Sequence, residues 1–433
     1  MKTVAKWIFY VCFGLLAGVT IALAALFFVA KATLAPLPDE WTTELGAGPV
    51  RVQAGVPSLI RLGTAPWFAR LMDGRSVPTR AGVLRLRWTE ASQTLTVRCM
   101  PCELQGGRKG GPGGGALGQA LTGVLGDQAL QIDDLQFSIR RVGMHLSGEL
   151  RAGALTAPWK GELQRQRLTV QLDLAPVPMA HAYALFAYQI PELSTAQIEG
   201  TFAMSAQLSL PTGSLQIVPQ IEGFRVSGLG TEALVNTRSS CGRSSRLNTE
   251  SWLARAVIAA EDQRFFEHTG FDMVELTASF AKNQRSAQIE RGGSTLSQQL
   301  AKLLVTGGAR SPVRKLRELL YAVEMEDTLG KARVLRLYLD NAPWGPGLCG
   351  AEAAAQHYFG VSARKLEPHQ AVWLAAMLHN PGAEAERWAR SGEINVERAQ
   401  WVAKGLRTVP RAERQALAES LLLVQWNTPA LKQ

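Results

Sequence analysis

Three groups of residues in the middle of the chain have the types and spacing for chemistry on a charged substrate. The first is AAEDQRFFEHTG, Ala259 to Gly270, where Glu261 and Asp262 are followed closely by Phe265, Phe266 and His268. A carboxylate beside aromatic rings is desolvated, which favours its protonated form and raises its pKa toward a value useful to a base. Adjacent residues do not share a helix face, so one carboxylate is expected to face a cleft and the other a structural partner.

The second group is RGGSTLSQQLAK, Arg291 to Lys302. Read as a helix, it stacks Ser294, Gln298 and Lys302 on one side and Leu296, Leu300 and Leu303 on the other. Entered through Gly292-Gly293, this column of hydroxyl, amide and ammonium is an anion site in principle. Glycine lets the backbone approach a ligand, and a helix start exposes N–H groups. An ordinary amphipathic surface helix has the same pattern. The third group is RSPVRKLRE, Arg310 to Glu318. Ser311 suits a helix cap and Pro312 the first helical position. Arg314 and Glu318 then share the face away from Leu316, Leu319, Leu320 and Val323. A salt bridge is one account of that pair, although Arg before Glu is the less favourable order. The guanidinium groups of Arg310 and Arg314 also suit phosphate oxygens.

The elements that must hold these groups differ along the chain. Leu253, Ala256, Val257 and Ala260 form an apolar stripe of helical period after a cap at Asn248 or Thr249. From there to the last helices, around Trp401 to Leu423, the pattern is predominantly helical. Residues 248–433 are therefore expected to be an α domain, preceded at 237–247 by a polar Ser/Arg/Gly linker. Upstream, residues 32–236 read as β-rich. Val83 to Val97 has two alternating runs around a polar turn, a hairpin signal, and later segments such as LTVQLDLAPV repeat the style. An antiparallel sheet with one apolar face is expected. Its strand pattern resembles that of lipid-handling envelope proteins of the AsmA type. Gln105 to Gly118 is a glycine-rich flexible loop.

Residues 1–31 are expected to hold a short cytoplasmic N-terminus and a transmembrane helix, because Trp7 to Ala30 is an uninterrupted apolar run long enough to span a bilayer. Lys2 and Lys6 precede it, which places the rest of the chain outside the cytoplasm. A signal peptide cut near Ala30-Lys31-Ala32 is the alternative, but such apolar regions are shorter. Five cysteines agree with export. Cys99 and Cys102 form a CxxC; lacking a second CxxC or a His pair nearby, they are expected to make a small disulfide rather than a zinc or redox site. Cys241 and Cys349 stand alone in the sequence. The net charge of +10 over 433 residues is spread rather than blocked, and no basic run is interleaved with aromatics. That excludes a nucleic-acid groove and fits an anionic membrane surface.

Taken together, AEDxxFxxHxG, GGSTxxQQLxK and RKxxE resemble the motifs of the peptidoglycan glycosyltransferases of family 51. This is the domain found in class A penicillin-binding proteins and monofunctional transglycosylases. A fourth motif, LRLYLDNAPWGPGLCGAEAAAQHYFG, Leu335 to Gly360, extends the resemblance over residues 248–381. It implies a multidomain chain: a transmembrane helix, a β-rich extracytoplasmic domain and a mainly-α, lysozyme-like glycosyltransferase domain. The implied reaction is polymerisation of lipid II, with Glu261 as general base for an inverting transfer that expels undecaprenyl pyrophosphate. Glu318 falls on the family's second carboxylate. Lys302, Arg310 and Arg314 match positions that contact pyrophosphate, while Ser294, Gln298 and Gln299 match the donor-site lining. Asp262, Phe265 and Lys315 complete the expected substrate-binding set.

The expected partners are lipid II, the growing glycan strand, the membrane and cell-wall synthesis or division proteins, and the expected location is the inner membrane with catalysis in the periplasm. No cofactor is required; a divalent cation is compatible with a pyrophosphate, but no ligand cluster in the sequence demands one. Ser297, Asp340 and Cys349 depart from the family pattern, where Thr, Asn and an aromatic are usual. Two lures are set aside. Gly345, Gly347 and Gly350 spell GxGxxG but follow a helix and enclose Pro346. Ser362 to Lys365 is an SxxK with no SDN or KTG after it, so no transpeptidase is expected. Two rivals remain: a lytic transglycosylase, which would have no pyrophosphate to hold, and a non-catalytic envelope scaffold or lipid-binding protein.

Overall fold

The computed structural model describes residues 38–47, 50–79, 81–105, 129–286, 293–308, 311–424 and 426. The apolar run Trp7 to Ala30 and all but the first residue of the glycine-rich loop lie outside them. So do Gly292 and Arg310. Among the described residues no helix is long and apolar enough to cross a membrane. The chain divides into two compact units.

The first unit takes in the residues up to 127, together with 131–175 and 204–218. A hairpin of β1 (Thr42–Ala47) and β2 (Val50–Gly55) leads into two short helices, α1 (Val56–Gly63) and α2 (Pro66–Met72). Then follow β3 (Ser76–Thr79), β4 (Gly82–Thr89), β5 (Thr94–Cys99), β6 (Cys102–Gln105), β7 (Ala129–Ile132), β8 (Leu135–Val142), β9 (His145–Ala152), β10 (Leu155–Leu163) and β11 (Leu168–Pro178). β12 (Gln197–Leu210) and β13 (Ser214–Ser227) complete a nine-stranded sheet in the order β13-β12-β11-β10-β9-β8-β5-β4-β3. The hairpin expected over Val83 to Val97 is β4–β5, antiparallel with Leu86 opposite Val97. Alternation along β4 turns Leu84, Leu86 and Trp88 to the less exposed side and Arg85 and Arg87 to solvent, the period-2 pattern of a half-buried strand. Trp159 stacks on Phe137 at 4.7 Å to centre this unit's core with Leu146, Leu163 and Leu168. Cys99 and Cys102 are joined by a disulfide.

The second unit comprises residues 176–203 and everything from Pro219 onward, with Gln128–Leu130. The two units thus divide within β11, β12 and β13 and not at the 237–247 stretch. After α3 (Met179–Ala184) and the last two strands of the sheet come, among the described residues, nine α-helices and one short hairpin. The helices are α4 (Trp252–Glu261), α5 (Met273–Ser286), α6 (Leu296–Ala301) and α7 (Pro312–Asn341), then α8 (Ala351–Phe359), α9 (Pro368–Met377), α10 (Pro381–Ser391) and α11 (Val396–Lys404). β14 (Pro343–Gly345) and β15 (Leu348–Cys349) form the hairpin between α7 and α8, and α12 (Arg411–Ser420) ends the unit.

α9 is buried on every side from Ala371 to Met377, as a central helix should be, and α4 lays Leu253, Ala256, Val257 and Ala260 against that core. α7 opens as the sequence indicates, with Ser311 accepting the Arg314 N–H at 3.0 Å and Pro312 in the first turn. It breaks at Gly330, where φ 72° and ψ 159° lie in a region essentially confined to glycine, so α7 is two rods in sequence.

The 237–247 stretch is pinned rather than loose. Ser244 Oγ donates to Asp340 Oδ2 at 2.5 Å, and the Ser245 N–H and hydroxyl donate to Asp340 Oδ1 at 2.9 and 2.8 Å. A second disulfide joins Cys241 to Cys349. Asp340 and Cys349 are two of the three departures from the family pattern, and both serve to hold this segment.

Candidate active site

Glu261 is the last residue of α4. Asp262 follows with φ −159° and ψ 74°, which ends the helix and sends the two carboxylates apart. Glu261 is mostly buried, and Gln299 Nε2 donates to its Oε2 at 2.9 Å. Gln299 is itself oriented, because the buried Tyr338 hydroxyl donates to its Oε1 at 2.9 Å. With the amide oxygen so engaged, its nitrogen is left to face the carboxylate. Arg398 of α11 places Nη2 4.0 Å from Glu261 Oε1, donates to the Ala260 carbonyl at 3.0 Å and lies over the Trp401 ring at 4.2 Å. Burial raises the Glu261 pKa, and the Gln299 hydrogen bond and the Arg398 charge offset only part of that rise. Burial likewise raises Tyr338 well above the usual phenol value, with the nearby Glu261 charge adding to it.

Asp262 faces inward. It accepts from the Leu296 N–H at 2.9 Å, and His268 Nε2 lies 3.0 Å from its Oδ1. His268 Nδ1 is in turn 3.4 Å from Lys331 Nζ, which pairs with Glu326 at 2.7 Å. Ser297 donates to Glu326 and closes the circuit. Phe265 is fully buried, with Lys331 Nζ 4.5 Å from its ring centroid. Asp262 and Phe265, expected among substrate-binding side chains, are thus placed in the wall of the site, turned to protein partners. The glycine that ends the first motif is explained by contact. Gly270 has φ +77°, and a Cβ there would stand 2.8 Å from the Val323 backbone of α7. Its carbonyl accepts from Thr295 Oγ1 at 2.6 Å.

The second motif differs from the expected column. Thr295, not Ser294, caps α6 in a reciprocal box: its Oγ1 accepts the Gln298 N–H, and Gln298 Oε1 accepts the Thr295 N–H, each at 3.2 Å. That contact draws Gln298 into the interior. Ser294 sits outside the helix, and the residues from Lys302 to Thr306 form a π turn that leaves Lys302 and Leu303 exposed. A column needs one unbroken helix from Ser294 to Lys302, and α6 covers only its middle.

What the structure brings together instead is Ser294 with the third motif. Lys315 Nζ donates to Ser294 Oγ and lies 3.1 Å from Glu318 Oε2, while Arg314 Nη1 pairs with Glu318 Oε1. Glu318 is buried between these two cations. Surrounding protein lowers the Lys315 pKa by desolvation, partly offset by Glu318. Among the described residues no three His, Cys, Asp or Glu side chains are grouped as a metal ion would need.

Sequence reasoning missed Tyr338, Arg398 and His268 as parts of this arrangement. Tyr338 lies in the YLD of the fourth motif, and His268 in the first, so both were within reach of a motif reading. Arg398 lies beyond the resemblance and has no local signal.

Residues 243–407 match the model of a family described as transglycosylase. Proteins named biosynthetic peptidoglycan transglycosylase are similar over one stretch of the chain. That of Nitrosomonas eutropha is 46% identical over 129 residues, 30% of this chain and 53% of the relative. That of Chromobacterium violaceum is 48% identical over 129 residues, 30% of this chain and 57% of the relative. That of Bordetella avium is 50% identical over 133 residues, 30% of this chain and 55% of the relative. The chain therefore spans a little over half of the length of these relatives. On the motifs, their arrangement in space and these matches, residues 243–407 belong to the transglycosylase family, the peptidoglycan glycosyltransferases of family 51.

Proposed function

We propose that the chain is a peptidoglycan glycosyltransferase that polymerises lipid II. Glu261 takes the proton from the acceptor sugar hydroxyl as that oxygen attacks the donor anomeric carbon, which inverts as the bond to undecaprenyl pyrophosphate breaks. The observation that carries this reading is the Glu261 carboxylate, buried, raised in pKa and oriented by the Tyr338–Gln299 pair. Burial that raises its pKa makes the carboxylate, once ionised, a stronger proton acceptor, and a base of this kind contributes about 10²–10⁴-fold.

Lys302, exposed after α6, together with Arg310, Arg314 and Lys315, receives the charge that develops on the leaving pyrophosphate. Glu318 keeps Arg314 and Lys315 at a fixed spacing before substrate arrives. A cleaving enzyme of lysozyme type has no use for these cations, which sets the lytic reading behind this one. The reaction needs no cofactor from the chain, though a divalent cation could accompany the pyrophosphate. Residues 7–30 anchor the protein in the inner membrane with the catalytic residues in the periplasm, where lipid II is presented and cell-wall synthesis or division proteins can be met. No transpeptidase activity is assigned.

The test is glycan-chain formation from lipid II by the purified full-length chain beside Glu261→Gln. Polymer from the first and none from the second supports the reading. No polymer from folded wild-type protein removes it and favours the envelope scaffold.

A further inference from the structure

The part of α7 that carries Arg314, Lys315 and Glu318 has a second, opposite face. At about 100° per residue, Val313, Leu316, Leu320 and Val323 fall on the far side of the helix from Arg314 and Glu318. That far face is covered by residues outside the family match. Met179 and Tyr183 of α3, Ile190, and Phe224 and Val226 of β13 pack on Leu320 and Val323 in one apolar cluster. Polar contacts fix the fit at several points. The Tyr183 hydroxyl donates to the Leu316 carbonyl at 3.3 Å, and the Leu229 N–H donates to Glu324 at 3.0 Å. The Thr231 hydroxyl meets that of Thr328 at 3.1 Å.

The most directional contact is that of Arg317, the neighbour of Glu318. Its Nε and Nη2 donate to Glu192 Oε1 at 2.8 and 2.6 Å, and Nε also reaches Oε2 at 3.0 Å. Glu192, from the turn between α3 and β12, is nearly buried, with 8% of its side chain exposed, so this is not a solvated surface pair. A two-pronged carboxylate–guanidinium contact resists rotation as well as displacement. Rolling α7 about its axis would move Arg314 and Lys315 off Glu318 and Ser294, and the Arg317–Glu192 contact opposes that roll from the flank of the helix between Arg314 and the apolar face.

We propose that Glu192, acting through Arg317, is a positioning residue for the anion-binding face of α7. The segment containing α3 and the outer ends of β12 and β13 is thereby a working part of the donor site. This rests on the pyrophosphate-binding role given above to Arg314 and Lys315, and the experiment separates the two ideas.

Full-length wild type, Glu192→Gln, Glu192→Asp and the exchanged pair Glu192→Arg with Arg317→Glu are compared. Binding of inorganic pyrophosphate is followed by calorimetry, and lipid II polymerisation by steady-state kinetics. Glu192→Gln is expected to weaken pyrophosphate binding and raise KM for lipid II by about three- to tenfold, with kcat within about twofold. Glu192→Asp should restore most of the loss, and thermal melting serves as a control for folding. Unchanged pyrophosphate binding and KM in Glu192→Gln, or a lowered melting temperature with no change in either, overturns the proposal. Wild type that binds pyrophosphate but makes no polymer removes the glycosyltransferase reading alone, and the calorimetric comparison then decides the positioning role. Wild type that neither binds nor polymerises removes both.

Discussion

The amide nitrogen of Gln299 lies 2.9 Å from the carboxylate of Glu261. Since the Tyr338 hydroxyl occupies the amide oxygen, the orientation of Gln299 is set from behind. Replacing Tyr338 by Phe removes that control while keeping the ring in the core. A lost buried hydrogen bond leaves the amide without its partner, at a cost of about 1–3 kcal/mol. Tyr338→Phe is expected to lower kcat by about three- to tenfold with little effect on KM, checked by steady-state polymerisation kinetics.

Glu261 links rate and stability to pH in opposite senses. The base must be ionised, so activity should rise with pH through a value above the ordinary carboxylate range. For stability the sign follows from its raised folded pKa. The folded chain holds this proton more tightly than the unfolded chain, so the contribution is present below the unfolded value, about 4.3, and is lost as pH rises through the folded one. Glu261→Gln should therefore raise the melting temperature at pH 7 relative to wild type and lose that advantage near pH 4. An equal shift at both values would show that burial of the charge is not the cause.

Gly270 tests how closely the first motif must lie on α7. A methyl group there meets the Val323 backbone at 2.8 Å and occupies a positive φ. Both penalties act together, each of order 1–3 kcal/mol. Gly270→Ala should lower stability by at least about 2 kcal/mol in chemical denaturation and, by shifting the loop, reduce activity as well.

Asp340→Asn restores the residue usual in the family. It turns one carboxylate oxygen into an amide nitrogen, facing either the Ser244 hydroxyl or the N–H and hydroxyl of Ser245, which together use both oxygens as acceptors. We expect a loss of about 1–3 kcal/mol in thermal or denaturant unfolding. kcat should be unaffected, because the Asp340 carboxylate is taken up by Ser244 and Ser245 and, among the described residues, makes no hydrogen bond to the candidate site.

Much of this was legible in the sequence because it is local. Ser311 and Pro312 announce the start of α7, the alternation of Val83 to Val97 announces a hairpin, and the apolar stripe of α4 ends where its carboxylate is needed. The helix around Gln298 was misread because its cap at Thr295 was not anticipated. Spacing alone cannot show that Thr295 and Gln298 satisfy each other better than Ser294 and Gln298 can line one face. Arg398 and the pairing of Cys241 with Cys349 were out of reach for a different reason: their partners are remote in sequence, and only tertiary packing sets them side by side. The role of Asp340 was hidden likewise, since a departure from a family pattern looks like drift until Ser244 and Ser245 are found against it.

The bond between Cys241 and Cys349 makes the stretch between them a covalent ring, and Glu261, Gln299, Arg314, Glu318 and Tyr338 all lie inside it. A single protease cut between the two cysteines would open the ring without parting the chain. The nicked protein would migrate near full length until a reductant released two fragments. The strand-rich half would likewise stay tethered to the half bearing α8 to α12 through any such cut. A site enclosed in this way keeps its sequence-distant parts joined only where thiols stay oxidised.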